Sequence, residues 1–189
     1  MNKRVQVFKY VIADFLSAMI AWFLFFCYRK LTVNPAILQN PDLIFGDRNL
    51  YVGLTVIPLF WLILYVLIGT YRQIYRKSRM KELGQTLLIT VIGVTILFFT
   101  LILDDVIITN RTYLRFFFSL LFLHLFFTAL FRFIITTNTA NKIHAKIIGF
   151  NTILVGSNGN AIAIYHEIEN QEKSSGNKFV GFVNVKGYT

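Results

Sequence analysis

The chain has 189 residues, 56% of them hydrophobic and 15% charged, with a formal net charge of +10. Its mean hydropathy is +0.59, and an ordinary soluble domain is about a quarter charged. These values exclude a disordered tail, a collagen-like fibre and a soluble nucleic-acid-binding domain, whose basic residues need a polar surface that a chain with twenty Phe does not offer. Cys27 is the single cysteine, which excludes a disulfide framework and a cysteine-based zinc site. An α-helical membrane protein remains, with membrane lipid rather than nucleic acid as its surroundings.

A helix needs about 20 apolar residues to cross roughly 30 Å of hydrocarbon, and four stretches meet that length. Residues 10–28 form the first and contain Asp14. Residues 50–70 form the second and carry no charge. The third, 84–103, is also uncharged and stops at Asp104 and Asp105. The fourth, 113–136, is rich in Phe, with Arg115 and Arg132 near its ends and His124 in the middle. Residues 1–136 are therefore predicted to form a four-helix transmembrane domain. The first stretch is long for a signal sequence, and no small-x-small cleavage site follows it, so it reads as an uncleaved anchor.

Lys and Arg gather on the cytoplasmic side of a membrane. The N-terminus (Lys3, Arg4, Lys9), the loop after the second span (Arg72, Arg76, Lys77, Arg79, Lys81) and the exit (Arg132, Lys142, Lys146) hold more of them than the other two loops (Arg29, Lys30, Arg48, Arg111, Arg115). Both termini are accordingly expected in the cytoplasm. Asp14 lies four residues inside the first span, about 6 Å deep at 1.5 Å per residue. Arg132 lies four residues from the cytoplasmic end of the fourth, at matching depth. Charges inside a bilayer find partners, so the two are expected to pair between the helices. On the far side Asp104 and Asp105 would neutralise Arg111 and Arg115. His124 sits near the midplane with no acidic residue predicted at its depth, which fits a neutral imidazole sharing a hydrogen bond between helices. Phe116, Phe117, Phe118, Phe122, Phe126 and Phe127 read as lipid-facing and packing surface.

Arg72, Arg76 and Arg79 are spaced i, i+4 and i+7, so a helix would put them on one face. They read either as a positive-inside anchor that snorkels to the headgroups or as a cradle for the phosphate of a lipid.

Composition changes after Thr136. Residues 137–149 are expected to form a linker helix closed by Gly149 as a left-handed cap. Residues 150–189 then read as a truncated Rossmann-like, CoA-binding-like βαβ domain. Its parts are an apolar strand over Asn151–Val155, the turn Gly156-Ser157-Asn158-Gly159, a helix with Ala161, Ile164, Tyr165 and Ile168 on one side, and a strand over Phe179–Val183. In a dinucleotide fold such a turn lets a pyrophosphate approach backbone N–H groups, which makes Gly156, Asn158 and Gly159 the candidate cofactor-binding residues. Asn158 stands where the second Gly of that pattern belongs, and its side chain obstructs the approach. Asn184 stands where an acidic residue would meet a ribose. A plain strand-to-helix connection and a nucleotide site therefore both stay open. A doubly wound sheet needs a third strand, so the residues are expected to begin a longer protein. No nucleophile with its base, no Walker loop and no metal cluster is legible, and no catalytic or metal-binding residue is assigned.

The segment Gly69-Thr70-Tyr71-Arg72, leading into Arg76-Lys77-Ser78-Arg79-Met80-Lys81-Glu82-Leu83, resembles one bacterial family when taken with Ile153-Leu154-Val155-Gly156 and Phe179-Val180-Gly181-Phe182-Val183. It is similar to the N-terminal region of the polyprenyl-phosphate glycosyl-phosphotransferases, which initiate exopolysaccharide, capsule and O-antigen synthesis. The resemblance implies transfer of a sugar 1-phosphate from a nucleotide sugar to undecaprenyl phosphate, assisted by magnesium, at the bacterial cytoplasmic membrane. It places catalysis in a C-terminal domain outside these residues, so no cofactor is expected in this chain and a homo-oligomer stays open. Membrane-anchored nucleotide-sugar dehydratases and epimerases begin similarly, and a non-enzymatic membrane scaffold is the third reading.

Overall fold

The computed structural model describes residues 3–35, 42–72, 79–102, 110–156 and 158–184. In chain order the elements are α1 (Lys3–Val33), α2 (Asp42–Phe45), α3 (Arg48–Leu67), α4 (Arg79–Leu97), which runs on into a π-turn (Phe98–Ile102), α5 (Asn110–His144), β1 (Phe150–Val155), α6 (Gly159–Glu169) and β2 (Asn177–Val183). Among the described residues, α1, α3, α4 with its π-turn, and α5 are long and apolar enough to cross a membrane. The chain divides into a helical unit, residues 2–135, and a second unit that holds residues 136–189.

The helices overrun the apolar stretches that announce them. α1 has 31 residues, about 46 Å at a rise of 1.5 Å per residue, with Arg4 and Lys9 near one end and Arg29 and Lys30 near the other of its apolar run. α3 starts after Asp47, whose carboxylate accepts the N–H of Asn49 at 2.8 Å and so caps the helix. The π-turn after α4 is accompanied by the hydroxyl of Thr100, which donates to the carbonyl of Ile96 at 2.9 Å. Asp104 and Asp105, expected to end this span and to face Arg111 and Arg115, lie outside the described residues.

α5 corrects one expectation. The linker helix expected over 137–149 is not a separate element, because α5 continues to His144. No Gly or Pro interrupts residues 137–144, so nothing breaks the helix at the end of the apolar run. Nor is Gly149 its cap. Lys146 takes the left-handed conformation (φ 57°). The N–H of Ile147 donates to Lys142 O and that of Lys146 to Ile143 O, both at 3.0 Å, the pattern of a Schellman end.

Inside the helical unit the core joins Ala18, Trp22, Phe25 and Phe26 of α1 with Leu50, Ile57, Trp61 and Tyr65 of α3. Ile89, Val94 and Leu97 of α4 and Phe116 and Leu120 of α5 complete it. Two indoles set the helix spacing. A Cβ at Gly53 would fall within the ring of Trp22, and one at Gly93 within the ring of Trp61. Small residues thus let α1 meet α3, and α3 meet α4, across large aromatic side chains. The Phe-rich surface of α5 divides as expected: Phe116 is fully buried, and Phe118, Phe122 and Phe126 are exposed.

In the second unit β1 and β2 pair in parallel as a two-stranded sheet. Phe150 sits opposite Asn177 and Val155 opposite Val183, with an irregularity after Thr152. α6 packs Ala161 and Tyr165 inward, the Tyr165 ring lying 5.3 Å from that of Phe179 and 5.7 Å from that of Phe182. Ile164, expected on the same side, is exposed. Two strands offer only a narrow support, and on a helix position 164 falls beside the stripe of 161, 165 and 168 rather than on it.

Candidate functional site: a buried polar cluster among the spanning helices

Nine polar or ionisable side chains of the four long apolar helices and the turn after α3 converge in one cluster: Asp14, Ser17, Trp61, Tyr65, Tyr71, Thr86, His124, Thr128 and Arg132. Arg132 of α5 is 1% exposed and Asp14 of α1 is 1% exposed. Arg132 Nε donates to Asp14 Oδ1 at 2.8 Å, and Arg132 Nη2 to Asp14 Oδ2 at 2.8 Å. The guanidinium fork matches the carboxylate, which gives a bidentate, charge-assisted pair. A third donor on the carboxylate is the hydroxyl of Tyr71, at 2.8 Å from Asp14 Oδ2. Arg132 also donates from Nη1 to Thr86 Oγ1 of α4 at 3.1 Å. Its guanidinium carbon stands 4.3 Å from the centre of the Tyr65 ring of α3, within cation–π range. One arginine thereby touches α1, α3 and α4, and through Asp14 it is linked to the turn that follows α3.

The cluster extends deeper along α5. The Tyr65 hydroxyl lies 3.0 Å from His124 Nε2, and Thr128 Oγ1 lies 3.3 Å from the same nitrogen. Ser17 of α1 joins through Thr128 at 3.2 Å and also donates to the carbonyl of Asp14 at 2.9 Å. Trp61 lies flat against His124, with ring centres 3.6 Å apart and planes 12° apart. Among the described residues no carboxylate hydrogen-bonds the imidazole. Two hydroxyls and an indole face surround it, so the imidazole is hydrogen-bonded between helices.

Comparison with protein families, curated proteins and solved structures finds no match to this chain. Function must therefore be argued from the residues themselves.

The other residues singled out in the sequence fare differently. Arg72 does not lie on a helix: its N–H donates to Gly69 O at 3.1 Å in a tight turn whose Gly69 has φ +74°. The shared helical face expected for Arg72, Arg76 and Arg79 is therefore not formed at Arg72. The turn needs a left-handed residue that glycine supplies without strain, and this stops α3 before Arg72. Arg76 lies outside the described residues, and Arg79 opens α4. At the start of α6, Asn158 is the N-cap: its Oδ1 accepts the N–H of Ala161 at 3.1 Å. Gly156 precedes it with φ +134°, and Gly159 is the first helical residue. The side chain at 158 thus takes one of the free N–H groups of the helix start, as a capping residue does.

Tyr65, Trp61 and Thr86 carry no signal that singles them out in the sequence, while Tyr71 stands in the segment Gly69–Arg72 on which the resemblance rests. Asp47 is not singled out in the sequence, and Lys30 stands there only as a loop charge. They form an ion pair at the opposite end of the bundle from Arg132, where Lys30 also stands 5.6 Å from the Phe26 ring centre. The Lys30 ammonium, then the N–H of Asn49, hold the Asp47 carboxyl below its usual range. An Asp just before Arg48 and an apolar run is a cap signature, so this one was open to reading.

Proposed function

We propose that this chain is the membrane-anchoring and regulatory N-terminal part of a sugar-phosphate transferase. Such an enzyme moves a sugar 1-phosphate from a nucleotide sugar to undecaprenyl phosphate in exopolysaccharide, capsule or O-antigen synthesis. Catalysis, and the magnesium that serves it, belongs to a domain outside these residues. On this reading the bundle lies in the bacterial cytoplasmic membrane with both termini in the cytoplasm, and residues 150–184 are the opening βαβ unit of a Rossmann-like domain.

The observation that carries the reading is the place of Tyr71. It stands in the segment Gly69–Arg72 on which the resemblance rests, and it hydrogen-bonds Asp14 inside the cluster that ties the helices together. A segment held so firmly at the cytoplasmic boundary can fix the position of a domain beside a lipid carrier. The Asn158 cap favours the transferase over a dehydratase, since a dehydratase needs that helix start for its dinucleotide.

The test has two arms. The purified chain, given labelled nucleotide sugars and undecaprenyl phosphate, is expected to transfer nothing. Fused ahead of the catalytic domain of an initiating transferase, in place of that enzyme's own N-terminal part, it is expected to support labelled lipid product. Turnover by the chain alone overturns the assignment of catalysis elsewhere. A folded, membrane-inserted fusion without product overturns the anchoring role.

A further inference from the structure

A pocket of about 440 Å³ opens in the second unit, at the end of the sheet where both strands begin. Parallel strand–helix–strand units hold their usual ligands at the other end, beyond the strand C-termini, where Gly156 and Asn158 stand. The pocket is therefore separate from that turn. It is built from the segment between α5 and β1, the end of α6, the loop after it and the first residues of β2. We propose that it binds a water-soluble phosphorylated polyol, with the phosphate at Lys178 and Ser174 and the polyol hydroxyls at Asn151 and Glu169.

The cation comes first. Lys146 donates from Nζ to Glu169 O at 3.3 Å and stands 3.8 Å from the Glu169 carboxylate, so it is already committed. Lys178 is not: among the described residues its ammonium makes no hydrogen bond and no ion pair. Beside it stand further donors. Asn151 of β1 lies opposite Lys178 of β2 in the parallel register, so the two side chains share one face of the sheet and line the pocket together. Among the described residues the Asn151 amide makes no hydrogen bond either. Ser174 Oγ accepts the N–H of Gly176 at 3.1 Å, which leaves its own proton to donate. The space next to Lys178 is kept open, since a Cβ at Gly149 would stand 3.3 Å from Lys178 Cβ. An ammonium and a hydroxyl can thus hold a phosphate by charge-assisted hydrogen bonds. The Glu169 carboxylate only accepts, which suits hydroxyl groups rather than a second anion. The volume has room for a body beyond the phosphate and falls within the range of about 300–1,000 Å³ of small-molecule sites. Ile147 and Ile148 supply its apolar lining, too short a wall for an acyl chain, so the ligand is soluble rather than lipid. The site rests on the fold of the second unit and not on the transferase reading.

Isothermal titration calorimetry of the full chain in detergent tests the proposal, with ribose 5-phosphate, ribose and inorganic phosphate as probes. Ribose 5-phosphate is expected to bind saturably, inorganic phosphate more weakly and ribose not at all. Lys178→Gln should weaken ribose 5-phosphate about tenfold, the loss of one hydrogen bond to a charged group. Asn151→Asp places a carboxylate beside Lys178 and should abolish binding. Lys173→Gln removes an exposed cation of the same unit outside the pocket and should leave binding unchanged. Each change falls at an exposed position, so the circular dichroism of each variant should match the parent. Absence of saturable binding overturns the site, as does parental affinity in a folded Lys178→Gln. So does a Lys173→Gln loss that matches Lys178→Gln, which would indicate diffuse surface charge, and so does inorganic phosphate bound as tightly as ribose 5-phosphate. Displacement by dioleoyl phosphatidic acid in mixed micelles would assign the phosphate to a lipid headgroup and overturn the soluble ligand.

Discussion

Asp14 and Arg132 are each 1% exposed, so neither can fall back on water when its partner is removed. Arg132→Leu leaves a buried carboxylate with, among the described residues, the Tyr71 hydroxyl as its remaining side-chain donor, and it should lower bundle stability by about 3–5 kcal/mol. Tyr71→Phe removes one hydrogen bond to a charged group and should cost about 1.5–3 kcal/mol. Equilibrium unfolding in mixed micelles ranks the two, and a larger loss for Tyr71→Phe would contradict the central place given to Arg132. Exchanging the charges, Asp14→Arg with Arg132→Asp, should recover part of what either single change loses. A double variant no better than the singles would show that direction matters as well as charge. The depth argument that joins Asp14 to Arg132 works because two charges in an apolar helix are rare and each needs a counterpart. Nothing comparable marks Tyr65, Trp61 or Thr86, since aromatic and hydroxyl residues occur throughout the spans, and only the packing selects which of them face inward.

The helices themselves are legible because twenty apolar residues leave a chain few alternatives in lipid. Their ends are not. α5 outruns its apolar stretch to His144, because helical hydrogen bonds do not require apolar side chains and no Gly or Pro intervenes. Helix spacing is likewise hidden in the sequence, although Gly53 and Gly93 fix it. Gly93→Ala puts a methyl group into the Trp61 ring and should cost about 1–3 kcal/mol. Shrinking the ring should relieve it, so Gly93→Ala with Trp61→Phe should be less unstable than the sum of the two single changes. Additive losses in a double-mutant cycle would mean that the two positions do not touch. At the capped end of α3, the lowered carboxyl of Asp47 fixes the sign of a pH effect. The folded state favours the carboxylate, so its contribution is complete at neutral pH. It is lost as pH falls through the folded-state value, below the usual range of about 3.9. Asp47→Asn should therefore be less stable than the parent at neutral pH by at most about 1 kcal/mol, with the gap closing in acid. A gap that widens in acid would reverse the assignment.

For the whole molecule, the uneven distribution of Lys and Arg sets the proposed orientation, and it can be read with one reagent. In a Cys27→Ser background, a membrane-impermeant maleimide should label Asp42→Cys in intact cells and Lys173→Cys only after lysis. The opposite pattern would turn the molecule over. In the strand-turn-helix region the sequence is consistent with a plain connection and with a nucleotide site, and the structure adds that Asn158 caps the helix through the N–H of Ala161. The Asp14–Arg132 pair has a consequence in time as well as space. Its members are separated by 118 residues of chain, which a ribosome takes about 6–24 s to make at roughly 5–20 residues per second. Through that interval the first helix has emerged with a carboxylate and no guanidinium to meet it. It must wait at the insertion machinery, at the headgroups or in protonated form until the fourth helix arrives. Assembly of the bundle is thus gated by α5, the fourth of the long apolar helices, and a chain cut short of Arg132 would leave α1 with a carboxylate that has lost its guanidinium partner.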